Sequence, residues 1–327
     1  MSEAPKREIG HRPFAGVLPA AITPCDEKGE PDEARLISHC LWLLDQGCDG
    51  LVVFGTTGQG NSLTVAERRR LLEKLAGRGV PAEKMMVGAG ACAAGNAVEL
   101  SKAAVAAGAG AVLLLPPFYY KEPTVDGLFA YFAEVIEKVG SEKLRVYLYH
   151  IPPVAQVGIQ LALVERLVAA YPRTVAGIKD SSGDWSNTRA LLENFPGFGV
   201  FAGSERYLLD TLRGGGAGCI SAVANVLAAP ICRVAGLWRD GAPEAEVEAA
   251  QAATLFLREA LQDLPMVPAL HAIHAYYRGD EGFFHLKPPL RPLEAGSLER
   301  LFSALDAGGF SLADIATVTG RFRIVPI

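Results

Sequence analysis

Between residues 16 and 221, short and nearly unbroken apolar runs alternate with longer segments whose apolar residues recur every three to four positions. The first spacing predicts buried strands and the second predicts amphipathic helices. Strands are expected at 16–22, 50–54, 85–89, 111–115, 145–149, 175–179, 199–202 and 217–220. Helices are expected at 31–46, 64–77, 95–107, 125–139, 161–170, 184–194 and 205–213. Strands that are apolar at every position belong to a parallel sheet covered on both faces. Eight such βα units in about 220 residues match the dimensions of an α/β (β/α)8 TIM barrel. Thr64 followed by Glu67 reads as a capping box opening the second helix. A doubly wound open sheet is the alternative, but the chain carries no dinucleotide fingerprint to accompany it.

Beyond the eighth strand the pattern stays helical, over 225–262 and again over 266–278. We read residues 1–15 as an N-terminal tail, 16–235 as the barrel, and 236–327 as a C-terminal helical extension packed on it, with a part in oligomer contacts open to it. Pro288-Pro289 and Pro292 mark a local extended turn. A net charge of −5 and a pI near 5.8 argue against nucleic acid or an anionic membrane surface as partner. No apolar stretch approaches the ~20 residues that span a bilayer, and Met1–Arg12 lacks the apolar core of a signal peptide. The six cysteines (25, 40, 48, 92, 219 and 232) show no metal-ligand or disulfide spacing. His271 and His274 stand three residues apart without a third ligand, which points to a helix surface or an oligomer contact rather than a metal. The expectation is a cytoplasmic protein with no metal.

In such a barrel, chemistry sits where strands end. The stretch "VFGTTGQGNSLT" at 53–64 has two glycines five residues apart, yet Asn61 stands where a phosphate-binding loop needs lysine. Thr56 and Thr57 can instead offer amides and hydroxyls to a carboxylate, with Gly55 and Gly58 permitting close backbone approach. An ordinary glycine turn is the plainer alternative. The run "VAGIK" carries Lys179 to the end of an apolar strand. Burial there disfavours the ammonium and leaves free amine to attack a carbonyl; a lysine that reaches solvent is the alternative. Tyr149 closes the fifth strand and can relay protons if hydrogen-bonded near that amine. His150, the next residue, points to the opposite face and is expected to support the site from behind.

The motifs "GTTG" at 55–58, "LLLPPFYYKEP" at 113–123, "LYHIP" at 148–152, "GIKDSSG" at 177–183 and "GCIS" at 218–221 occur in order. Together they resemble the dihydrodipicolinate synthase / N-acetylneuraminate lyase family of pyruvate-dependent aldolases. The resemblance implies that Lys179 forms an imine with pyruvate or another 2-oxo acid, so that no separate cofactor is needed. It implies that Tyr149 shuttles protons and that Thr56 links it to Tyr120. The tyrosine matching Tyr120 reaches a neighbouring subunit's site in the synthases, implying a homo-oligomer, a dimer or a tetramer.

The departures bear on the substrate. The synthases place an arginine where this chain has Val154, and Gln59 replaces the usual glutamate after "GTTG". Without that guanidinium a second carboxylate loses a charge-assisted contact. Thr56, Thr57, Gly55, Ile220, Glu205 and Val154 are the expected substrate contacts, with Glu205 suited to hydroxyl groups. Three functions stay open. One is an aldolase or dehydratase of a hydroxylated 2-oxo acid. Another is dihydrodipicolinate synthase, with Arg206 or a neighbour's Lys121 replacing the arginine. The third is a non-catalytic barrel that binds a 2-oxo acid or, through the 55–62 loop, phosphate.

Overall fold

A computed structural model describes residues 14–261 and 263–312; most of the expected tail, Gln262 and residues 313–327 lie outside them. Eight parallel strands run β1 (Gly16–Pro19), β2 (Leu51–Val53), β3 (Met85–Gly88), β4 (Ala111–Leu114), β5 (Val146–His150), β6 (Val175–Asp180), β7 (Gly199–Ala202) and β8 (Gly218–Ser221). Each pairs with its sequence neighbour from β2 to β8, and β8 returns to β1. The seam between β1 and β2 is joined by the Ala20–Val52 bridge, where Ala21 N–H donates to the Val52 carbonyl at 2.9 Å. This is the (β/α)8 TIM barrel expected from the alternation.

Alternate side chains along each strand divide two cores, as the period of a strand requires. Leu18, Val52, Met86, Leu113, Tyr147, Phe201 and Ile220 fill the barrel interior. Leu51, Val53, Val87, Val112, Leu114, Leu148 and Val200 face outward under the surrounding helices. Burying a side chain of this size is worth about 1.5–3 kcal/mol, so both faces must be apolar, and period 2 is invisible in the sequence.

The helices between strands fall close to their expected places: Glu33–Asp45, Val65–Gly77, Ala94–Ala106, Val125–Val139, Leu161–Ala170, Trp185–Asn194 and Leu208–Arg213. The Thr64–Glu67 capping box is present in both directions. A short helix, Pro152–Ala155, follows β5 and was not foreseen. Among the described residues the C-terminal part holds five helices, Ala228–Arg239, Glu244–Ala253, Leu255–Leu261, Met266–Arg278 and Ala295–Ala307. They share a core with Val17 of β1 and Cys219 of β8.

His271 and His274 are a correction to the surface placement: both are buried, 1% and 0% exposed. His274 Nε2 lies 2.9 Å from the Asn225 carbonyl, and its Nδ1 accepts from Arg278 Nε at 2.8 Å. That pair fixes the Nε2–H tautomer, and burial holds the ring well below its ordinary pKa. Asn225 also joins the ends of the barrel. Its Oδ1 accepts from Ile22 N and its Nδ2 donates to the Ala20 and Ala222 carbonyls.

Inside the barrel, Tyr147 occupies space left by two glycines. A Cβ on Gly177 would lie 2.3 Å from the Tyr147 ring and 2.3 Å from the Gly199 carbonyl oxygen. Gly177→Ala should therefore cost on the order of 3 kcal/mol through overpacking. A urea titration checks it; an unchanged midpoint would mean the ring has room to move.

Candidate active site

The site is assembled at the carboxyl ends of β2, β5 and β6. Tyr149 and Lys179 are register partners on β5 and β6. Lys179 faces the interior because of an irregularity in β6. Val175 pairs with Val146, but Gly177 pairs with Tyr147, so Ala176 is an extra residue. That one-residue shift brings Gly177 against Tyr147 and sets Lys179 on the same side as Tyr149.

The Lys179 amine lies 3.3 Å from the Tyr149 hydroxyl and 4.5 Å from the centre of its ring. The same hydroxyl is 3.4 Å from Thr56 Oγ1. Lys179 is 5% exposed and Tyr149 3%, so amine and phenol are nearly sheltered from water. Phe54, Gly55, Thr56, Gly88, Leu115 and Tyr149 line a small cavity beside them.

The turn after β2 doubles back on itself. Gly60 N–H donates to the Gly55 carbonyl at 3.0 Å, and a Cβ at Gly60 would lie 1.9 Å from the Phe54 carbonyl oxygen. Among the described residues, the Thr56 and Thr57 amides donate to no protein acceptor. Two free amides in a glycine turn suit an anion. Ile220 is a buried interior residue of β8, in the same core cluster as Tyr149 but not among the residues that line this cavity.

Behind the lysine, Asp180 accepts from Ser182 N, Asn187 Nδ2 and Thr188 Oγ1 at 2.7–2.9 Å, which fixes the strand end carrying the amine. Nothing in the sequence pattern singled out Asp180, although its place beside Lys179 could have. His150 Nδ1 accepts from Ile159 N at 2.8 Å. Burial lowers its pKa, partly offset by the Asp180 charge.

Glu205 is a correction. It is fully buried, and its carboxylate is held bidentate by Arg258 at 2.7 and 2.8 Å and by Ser221 Oγ at 2.5 Å. A carboxylate engaged in this way is not free for substrate hydroxyls. Its partner lies on the helix Leu255–Leu261, 53 residues away, which no local motif announces.

Tyr119 and Tyr120 are 74% and 79% exposed, edge-on to each other. Among the described residues Tyr120 is not brought to Thr56 within the chain. Lys121 ties their loop down by donating to the Phe118 and Ala155 carbonyls. Val154, on the adjoining short helix, is 62% exposed. No group of three or more His, Cys, Asp or Glu side chains is placed to hold a metal ion among the described residues. No helix among them is long and apolar enough to cross a membrane.

A (β/α)8 barrel with a sheltered lysine, a tyrosine and a threonine converging at its carboxyl end belongs to the lyases of this architecture. The chain belongs to the dihydrodipicolinate synthetase family, whose model matches residues 13–307. It is 34% identical over 298 residues to an "uncharacterized DapA-like lyase" of Chloroflexus aurantiacus, covering 90% of this chain and 97% of that one. It superposes on a dihydrodipicolinate synthase from Agrobacterium tumefaciens with a TM-score of 0.81 and 33% identity, covering 89% and 98% of the two chains. A third likeness is YagE, a prophage protein of the dihydrodipicolinic acid synthase family from E. coli, solved in complex with pyruvate. Its TM-score is 0.81 at 27% identity, with 90% of this chain and 98% of that one covered.

Proposed function

We propose that this lyase forms a Schiff base between Lys179 and pyruvate or a related 2-oxo acid, and cleaves, condenses or dehydrates a hydroxylated 2-oxo acid such as a 2-oxo-3-deoxy sugar acid. The convergence of the Lys179 amine on the Tyr149 hydroxyl, itself within reach of Thr56, carries this reading. The amine adds to the 2-oxo carbon, water leaves, and the cationic imine draws electrons from the neighbouring C–C or C–H bond. Tyr149, relaying through Thr56, moves the protons these steps require. The Thr56 and Thr57 amides, with Gly55 behind them, grip the substrate carboxylate so that its carbonyl carbon faces Lys179. Ile220 forms the apolar wall opposite. The pyruvate complex of YagE supports the 2-oxo acid, and the imine makes a separate cofactor unnecessary.

Tyr120 and Tyr119, exposed on a tethered loop, are suited to bury against a second copy of the chain. We read the working form as a homo-oligomer, a dimer or tetramer, in the cytoplasm. The likeness to a synthase of 33% identity favours a second reading, condensation of pyruvate with aspartate semialdehyde. Val154 separates the two readings, since its isopropyl group cannot pair with that substrate's carboxylate. Arg206 is exposed, and the Lys121 amine already donates to two carbonyls.

The test is a comparison of kcat/KM for pyruvate plus aspartate semialdehyde against a panel of 4-hydroxy-2-oxo and 2-oxo-3-deoxy sugar acids, run in both directions. At least one panel member should reach ~10⁴ M⁻¹s⁻¹, ordinary for enzymes, while aspartate semialdehyde stays far below. The reverse ranking would make the protein a synthase.

A further inference from the structure

Gln59 is 3% exposed and sits at φ 55°, a left-handed backbone rare for a residue with a side chain. Both ends of its amide are in use. Nε2 donates to the Thr23 carbonyl at 3.0 Å, and Oε1 accepts from the backbone N–H of Lys287 at 2.9 Å. Thr23 Oγ1 in turn donates to the Gly58 carbonyl at 2.7 Å. The Lys287 ammonium pairs with Glu67 Oε1 at 2.9 Å, and Glu67 Oε2 accepts from Thr64 N at 2.6 Å. One residue of the C-terminal segment thus holds the 55–64 turn at two points, its middle through Gln59 and its exit through the helix cap. Burial alone would raise the Glu67 pKa, but the bonds from Thr64 and Lys287 outweigh it and keep the carboxylate ionised.

We infer that Gln59 is a positioning residue for the 2-oxo-acid cradle, latching the Thr56–Thr57 turn to the C-terminal segment, and that only a group able to donate on one side and accept on the other can fill its place. An ionised carboxylate accepts but cannot donate, so it would set two oxygens against each other at Thr23. A protonated carboxyl matches the amide on both sides. The consequence for substrate binding rests on the Schiff-base reading; the latch itself does not.

Two variants and three measurements test it. Amide exchange of the peptide covering 53–63, without substrate, reads the latch directly. KM for pyruvate, divided by the wild-type value at each pH, reads its consequence, and borohydride trapping on Lys179 reads the chemistry. Gln59→Leu should speed exchange in that peptide and raise KM about tenfold, the worth of roughly one lost hydrogen bond, with trapping still on Lys179. Gln59→Glu should match wild type in both exchange and KM near pH ~5, then depart from it by about tenfold toward pH ~8 as the carboxyl ionises. The charged and titratable groups around this position are the Lys287 ammonium, the Glu67 carboxylate and the Cys25 thiol, with Asp26 and Glu30 beyond. The first two neutralise each other, and burial pushes the thiol up to about 11, so it stays neutral across the range. A Glu-to-wild-type ratio flat with pH, or unchanged exchange in the Leu variant, overturns the latch. If wild type fails to trap pyruvate, the Schiff-base reading falls and exchange alone decides the latch. Should the Leu variant not fold, the Glu variant decides it alone, as one protein read at two pH values.

Discussion

Lys179→Ala should abolish turnover, a loss on the order of 10⁵ or more given the usual ~10⁶-fold minimum of enzymatic rate enhancement. The same variant should take up no borohydride-reduced pyruvate, whereas wild type should gain one adduct, placed on Lys179 by peptide mass. The amine is 5% exposed and faces the Tyr149 hydroxyl at 3.3 Å, and among the described residues no other lysine is buried. Lys121, beside the barrel mouth, already donates to two backbone carbonyls. The fold should survive, because Lys179 contributes a strand end whose backbone pairing with Tyr149 and Phe201 is independent of its side chain. Lys179→Arg tests the chemistry more sharply, keeping a cation that cannot shed its proton to become a nucleophile. It should be equally inactive. An adduct on a different lysine in wild type would sink the mechanism and leave only the fold.

What the sequence made legible, and what it hid, divides along the range of the interactions. The barrel could be read because each βα unit declares itself within about thirty residues, through an apolar run and then a 3.6-residue period. Lys179 and Tyr149 stood out because a polar group ends an otherwise apolar strand. The direction in which Lys179 points was not legible. It depends on the extra residue Ala176, and a one-residue shift exchanges the two faces of a strand. The glycines at 177 and 199 look like loose strand positions until the Tyr147 ring is seen to fill the space. Glu205 looked like a ligand for hydroxyls because Arg258 lies 53 residues downstream. Gln59 looked like a charge lost at the barrel mouth because Lys287 lies 228 residues away. The buried pair His271 and His274 misled for a related reason. A histidine's neutral ring is amphipathic, and a helix facing two neighbours buries polar residues that a one-sided helix would expose. Local periodicity reports which residues can be buried; long-range pairing decides which polar ones are, and the active site is built largely from that second class.

Tyr149→Phe should cost about 10²–10⁴ in turnover, the usual worth of a positioned proton carrier, while still allowing slow trapping of pyruvate on Lys179. The phenyl ring keeps its place beneath the amine, where the Tyr149 ring centre lies 4.5 Å from Nζ, so the packing of ring against amine persists. Only the hydroxyl is lost, and with it the group within 3.3 Å of the amine and 3.4 Å of Thr56 Oγ1. Thr56→Val should act in the same direction but by about tenfold, since it removes one hydrogen bond to the relay and leaves the phenol in place. The double variant distinguishes a relay from two separate contributions. If Thr56 works through Tyr149, adding Thr56→Val to Tyr149→Phe should cost almost nothing more, because its partner is already gone. Additive losses would mean that the Thr56 hydroxyl acts on the substrate by itself, apart from the relay, since the backbone amide of the carboxylate cradle is unchanged by the substitution. Near-wild-type turnover in Tyr149→Phe would mean that the protons travel another way. The first group to examine would then be a tyrosine from a second copy of the chain, since Tyr120 is 79% exposed and free to reach one.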